Sequence, residues 1–185
     1  MQILLDTHIA LWAITDHPSL NKTARDLINN PANIIIVSTV SLWEIAIKHK
    51  LARGDMPIDS ADALQYFKSA GYELLSILPE HVIATAELPA HHQDPFDRLL
   101  IAQALQEPLR LITHDKTIAL YSDTVILVWV SLLNRVIFIA RQTLRLCPKS
   151  QTLQFAVKFY LQVARSPYSV LWFRQSQNCA LLGNV

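Results

Sequence analysis

The chain has 185 residues, 51% of them hydrophobic, a formal net charge of +1 and two cysteines, which is long enough to bury a core without disulfides. Cys147 and Cys179 match no metal-ligand spacing, and the start, MQILLDTH, has neither a basic leader nor a long apolar core. A thiol-based metal site, a disulfide scaffold and a secreted protein are therefore not expected, and a reducing cytoplasm is.

In chain order, QILL (2–5) predicts a buried strand, and helical spacing follows over 8–14 and 20–30. IIIV (34–37) predicts the second strand and is followed by helices over 40–51 and 59–70. YELLSI (72–77) predicts the third, followed by helices over 79–88 and 95–106. LRLI (109–112) predicts the fourth, then a helix over 115–121, and TVILV (124–128) the fifth. Six prolines fall at the proposed boundaries, and Gly54 and Gly71 sit just past proposed helix ends. Short continuous apolar strands alternating with helices predict a parallel sheet covered on both faces.

Charge divides the chain after Val128. Residues 1–128 hold all 15 acids and 9 of the 16 Lys and Arg, a net of −6, whereas 129–185 hold no acid and 7 Lys and Arg, a net of +7. Residues 1–128 are accordingly expected to form the functional domain. Residues 129–185 form an atypical basic extension, either a tail translated past an ancestral stop or an arm that grips RNA. The apolar run VILVWVSLLNRVIFIA (125–140) is interrupted by Asn134 and Arg135 and is shorter than the roughly 20 clean residues of a bilayer span, so no membrane helix is expected.

The acids of the first part follow the strands. Asp6 comes directly after QILL, Asp115 just after LRLIT, and Glu44 two turns into the helix that leaves IIIV, while Asp94 and Asp97 open the helix DPFDRLLIAQA. Each has a purely structural use: Asp94 before Pro95 suits a helix N-cap, Asp97 suits the first turn, and Glu44 can pair with Lys48 one turn on. In an α/β sheet, however, strand ends and the helix starts that follow them share one edge, where such folds place their chemistry. Four carboxylates gathered there at about 5 Å make six pairs, each repelling by roughly 3 kcal/mol. The sum exceeds the roughly 5 to 15 kcal/mol by which a domain is stable. The cluster must hold protons or a cation, and an all-oxygen set points to Mg²⁺ or Mn²⁺ rather than zinc.

ILLDTHIALW (3–12), STVSLWEIAIKHKLARG (38–54), DPFDRLLIAQAL (94–105) and LITHD (111–115) together resemble the successive motifs of a PIN-domain protein, specifically a VapC-type toxin ribonuclease of a toxin–antitoxin pair. The resemblance spans nearly all of 1–128 and is specific as a set. It implies a three-layer α/β/α fold with a central, mainly parallel five-stranded sheet, a homodimer, and Mg²⁺- or Mn²⁺-dependent cleavage of RNA. It also implies inhibition by a cognate antitoxin. Asp6, Glu44, Asp97 and Asp115 take the positions of the four metal-binding acids. Asp94 matches a supporting acid, and Thr7 and Thr113 take hydroxyl positions beside the site. The family pattern ends near Val128, so residues 129–185 depart from it.

Other polar and aromatic residues carry weaker expectations. His8 and His114 flank two acids, but a metal-activated hydroxide makes a histidine base unnecessary. His91 and His92 lie in a polar loop and are expected to be solvated. Trp12 and Trp43 suit the core or a dimer face, and the apolar neighbours of Glu44 are expected to anchor its helix. Arg98 is expected either to touch phosphate or, the favoured reading, to orient Asp94 through a salt bridge. Two further functions share these features: an RNA- or antitoxin-binding module without activity, and a DNA-directed flap or repair nuclease.

Overall fold

A computed structural model describes residues 1–51 and 56–128, all within the first of the chain's two units, Met1–Val130. The extension expected over 129–185 lies outside the described residues. The strands are β1 (Gln2–Leu5), β2 (Ile34–Ser38), β3 (Glu73–Leu75), β4 (Arg110–Thr113) and β5 (Ile126–Leu127). The helices are α1 (Thr7–Ile14), α2 (Lys22–Ile28), α3 (Thr39–Lys50), α4 (Ser60–Ser69), α5 (Pro79–Glu87) and α6 (Pro95–Gln106). The helix expected over 115–121 is instead a single 3₁₀ turn, Ile118–Leu120. Asp115 draws the backbone at Thr117 into a side-chain turn, a local alternative to helix that Asp readily offers.

The sheet order is β3-β2-β1-β4-β5, and every pairing is parallel. Because side chains alternate across a strand, β1, β2 and β4 feed two cores. Ile3, Leu5, Ile35, Val37 and Ile112 pack with Ile9 and Leu11 of α1, Ala24 of α2, and Ala63 and Phe67 of α4. Leu4, Ile36 and Leu111 face the other way, onto Leu99, Leu100, Ile101 and Ala104 of α6. The result is the expected three-layer arrangement, and strands buried on both faces explain why they read as unbroken apolar runs.

Two details fix the helix ends. α4 stops at Gly71, whose φ of +75° is accessible mainly to glycine, and Tyr72 then donates back to Phe67. α3 starts on Ser38, whose hydroxyl accepts from Val40 N at 3.0 Å and donates to Gln103 Oε1 at 2.6 Å. Gln103, fully buried in α6, also donates to Ser76 O at 3.2 Å. A single amide therefore ties α6 to the start of α3, and with it the two helices that carry Glu44 and Asp97.

On α3 the anchoring residues are Val40, Leu42 and Ile45, whereas Trp43 and Ile47 are exposed. Trp43 rests edge-on against Phe96, with ring centroids 5.1 Å apart. The expectation that all the apolar neighbours of Glu44 anchor the helix is thus corrected. A 3.6-residue turn cannot bring five side chains spread over six successive positions to one side. No helix among the described residues is long and apolar enough to cross a membrane.

Candidate active site

The central strands set the site. Leu5 pairs with Val37 on one side and Ile112 on the other, so Asp6, Ser38 and Thr113 stand in a row at the carboxyl edge. Asp6 is buried and serves twice. Its Oδ1 caps α1 through His8 N at 3.2 Å, while Oδ2 accepts from the Thr113 hydroxyl at 2.6 Å. His114 Nδ1 lies 3.6 Å from the same oxygen, too far for a hydrogen bond. Burial works to raise the Asp6 carboxyl, but His114, the Thr113 hydroxyl and nearby His8 outweigh it and hold it below the usual range.

Thr113 also accepts from Asp115 N at 3.0 Å, so one hydroxyl joins two of the expected acids. Asp115 Oδ1 accepts from Thr117 N at 2.6 Å. Burial acts to raise this carboxyl, and the Thr117 and His92 bonds bring it below its ordinary value. Thr7 behaves differently: its buried hydroxyl donates to Ser41 Oγ at 3.0 Å, fastening α1 to α3 rather than touching an acid.

Glu44 is only 2% exposed. Its Oε1 is paired with Lys48, as the helical spacing allows, but Oε2 is buried with no hydrogen-bond partner. Such a group is costly unless something compensates it. Lys48 also lies 3.9 Å from Asp94 Oδ2. Burial acts to lower the Lys48 pKa, yet Glu44, Asp94 and Asp97 together raise it.

Asp94 caps α6, accepting from Phe96 N at 2.9 Å, ahead of Pro95 in the first helical turn. Asp97, one turn in, has its pKa pushed up to about 8, first by burial and then by the charges of Asp6, Asp94 and Glu44, against a pull from Lys48. Asp6, Glu44, Asp94 and Asp97 thus share one electrostatic neighbourhood. Asp115 joins it through His92, whose Nε2 lies 3.2 Å from Asp97 Oδ2 and 3.3 Å from Asp115 Oδ2.

The donor chemistry fits a hard divalent cation: the cluster offers only carboxylate oxygens, one is buried and unpartnered, and one acid retains a proton well above its ordinary range. As they stand, no three His, Cys, Asp or Glu side chains among the described residues share ligating geometry. Lys48 engages Glu44, and His92 Nε2 lies between Asp97 and Asp115.

Two sequence expectations are revised. Arg98 makes no salt bridge with Asp94; its guanidinium donates to the carbonyls of Thr85 (2.6 Å), Leu88 (3.0 Å), Pro89 (2.8 Å) and His92 (3.3 Å). Five fixed donors on a planar fork suit carbonyls gathered from a turning loop. His92 is not simply solvated but sits between two acids. Trp12 packs partly against the core and meets His17 and His114 at ring distances of 5.7 and 4.9 Å.

Known proteins agree with this fold. The family model of the PIN domain matches residues 3–123, about two thirds of the chain, and the chain belongs to the PIN-domain family. Ribonuclease VapC22 of Mycobacterium tuberculosis is 29% identical over 115 residues, covering 62% of this chain and 87% of that protein. The crystal structure of VapBC2 from Rickettsia felis, bound to a DNA fragment from its promoter, contains a similar fold at 21% identity and a TM-score of 0.50. That match covers 69% of this chain and 98% of that one.

Proposed function

We propose that the chain is the toxin of a toxin–antitoxin pair, a Mg²⁺- or Mn²⁺-dependent endoribonuclease in which Asp6, Glu44, Asp97 and Asp115 hold the metal. One observation carries this: the buried, unpartnered Glu44 oxygen shares its electrostatic neighbourhood with Asp97, whose proton is retained to about pH 8. A bound divalent cation there supplies neutralisation of a phosphodiester's charge and a water acidified for attack.

The chain's own residues prepare that chemistry. Asp6, held below its usual pKa, presents an ionised oxygen throughout the physiological range. Thr113 keeps Asp6 and the Asp115 backbone in register. Asp94 and Pro95 start α6 so that Asp97 falls one turn in, and Thr7 and Gln103 lock α1 and α6 to α3. Residues 1–128 are the proposed nuclease domain. VapC22 is a ribonuclease by name and VapBC2 a complex; we extend to this chain an RNA substrate, an antitoxin partner, homodimerisation and a cytoplasmic location.

The test uses the purified full chain with RNA and single-stranded DNA in Mn²⁺, Mg²⁺ or EDTA. Expected is RNA cleavage leaving 5′-phosphates, abolished by EDTA and reduced on the order of a hundredfold or more by Asp6→Asn or Asp97→Asn. A folded chain that binds RNA without cutting it would instead be a binding module, and preferential cutting of DNA would make it a repair-type nuclease.

A further inference from the structure

His92 is held from every side. Arg98 takes its carbonyl at 3.3 Å. Its backbone N–H donates to Tyr121 Oη at 2.8 Å, and that hydroxyl donates to Pro89 O at 2.9 Å. The imidazole Nδ1 accepts from Asp94 N at 3.1 Å. One ring nitrogen is therefore committed as an acceptor, so the hydrogen of the neutral ring belongs on the other, Nε2. Nε2 is the atom placed 3.2 Å from Asp97 Oδ2 and 3.3 Å from Asp115 Oδ2. These two acids arrive from different elements, the first turn of α6 and the exit of β4.

We propose that His92 is a positioning residue for the metal-binding acids, its Nε2–H hydrogen-bonded to Asp115 and lying against Asp97, so that both carboxylates are held toward a shared cation. The inference rests on the nuclease reading of the site. Hydrogen bonds from neighbouring side chains to metal-ligating groups fix the ligands' orientation, and their loss weakens metal binding by roughly ten- to a hundredfold. The rigid mounting of His92 makes this bond a built feature: loop, ring tautomer and reach are each fixed by a separate contact.

Two substitutions separate positioning from turn-making. His92→Asn puts an amide oxygen near the place of Nδ1, so it can accept from Asp94 N, but it is too short to reach the two acids. His92→Gln carries an N–H to the reach of Nε2 but gives up the turn. The measurement is Mn²⁺ affinity of the full chain, by electron paramagnetic resonance of free Mn²⁺, with thermal unfolding in EDTA alongside.

Expected is a Kd raised roughly ten- to a hundredfold in His92→Asn and His92→Ala, with most of the affinity restored in His92→Gln. Wild-type affinity in His92→Asn would reduce the histidine to a turn former and overturn the proposal, as would a His92→Gln as weak as His92→Ala. Should His92→Ala not fold, the Asn and Gln variants still decide. A folded wild type that takes up no Mn²⁺ brings down the nuclease reading and this inference together. A wild type that binds, with all variants binding alike, brings down this inference only.

Discussion

Asp97→Asn replaces a carboxyl that the metal-free fold holds protonated near neutrality. Burial, followed by Asp6, Asp94 and Glu44, pushes its pKa up to about 8, from an ordinary 3.8. An acid whose folded pKa is raised makes the native state bind the extra proton between those two values. Its contribution to stability is complete below 3.8, declines as pH rises, and is lost above about 8. A rise of that size corresponds to on the order of 5 kcal/mol against the ionised form, and the side chain is only 19% exposed, so solvent screens little of it. Asparagine has nearly the shape of the protonated acid and cannot ionise. In EDTA, the stability of Asp97→Asn relative to wild type should therefore climb by a few kcal/mol between pH 4 and pH 8.5. Urea unfolding of both full chains at each pH measures this, since the titrations of groups remote from Asp97 cancel in the difference. Saturating Mn²⁺ should lift the wild type most at the alkaline end, where the cation does what the proton had done. Parallel stability profiles across the whole range would refute the clustering of these acids.

Lys48→Met removes the internal cation from Glu44, Asp94 and Asp97. Breaking a largely buried pair on one side should cost about 2 to 3 kcal/mol in EDTA, the lower end because Lys48 is partly exposed. Thermal unfolding should show Mn²⁺ recovering more stability in this variant than in wild type, because a competitor for the same oxygens is gone. Gln103→Leu leaves Ser38 Oγ and Ser76 O without the amide; a loss of about 1 to 3 kcal/mol in urea unfolding, at an unchanged m-value, is expected.

Much of this architecture is visible in the sequence, because strands buried on both faces must be apolar at every position. QILL is β1 residue for residue, and IIIV is extended only by Ser38. Asp6 could be placed because it immediately follows such a run, and Asp115 because it comes two residues after β4 ends. What stays hidden depends on contacts across the chain. His92 gains its role from acids 5 and 23 residues away, and nothing in the polar stretch AHHQ marks which histidine is caught between them. Gln103 sits among the apolar residues of α6 with no periodic signal that its amide reaches Ser38, 65 residues earlier. Trp43 and Ile47 were indistinguishable from core by composition, and only the rotation of α3 exposes them.

For Asp6 and Asp94, capping and functional assignments are not alternatives. Asp6 caps α1 with Oδ1 and turns Oδ2 to Thr113, while Asp94 caps α6 with Oδ1 and turns Oδ2 toward Lys48. A carboxylate has two oxygens, so one can satisfy a helix end while the other remains for the site. The arrangement also eases the repulsion, since the helix N-terminus contributes a partial positive charge beside Asp6, Asp94 and Asp97. Glu44, two turns into α3, gains nothing from such a terminus, and it is the acid that keeps both a lysine partner and a buried oxygen with none. The need for an added cation is therefore greatest at Glu44, so Glu44→Gln should relieve the metal-free site while weakening its hold on Mn²⁺.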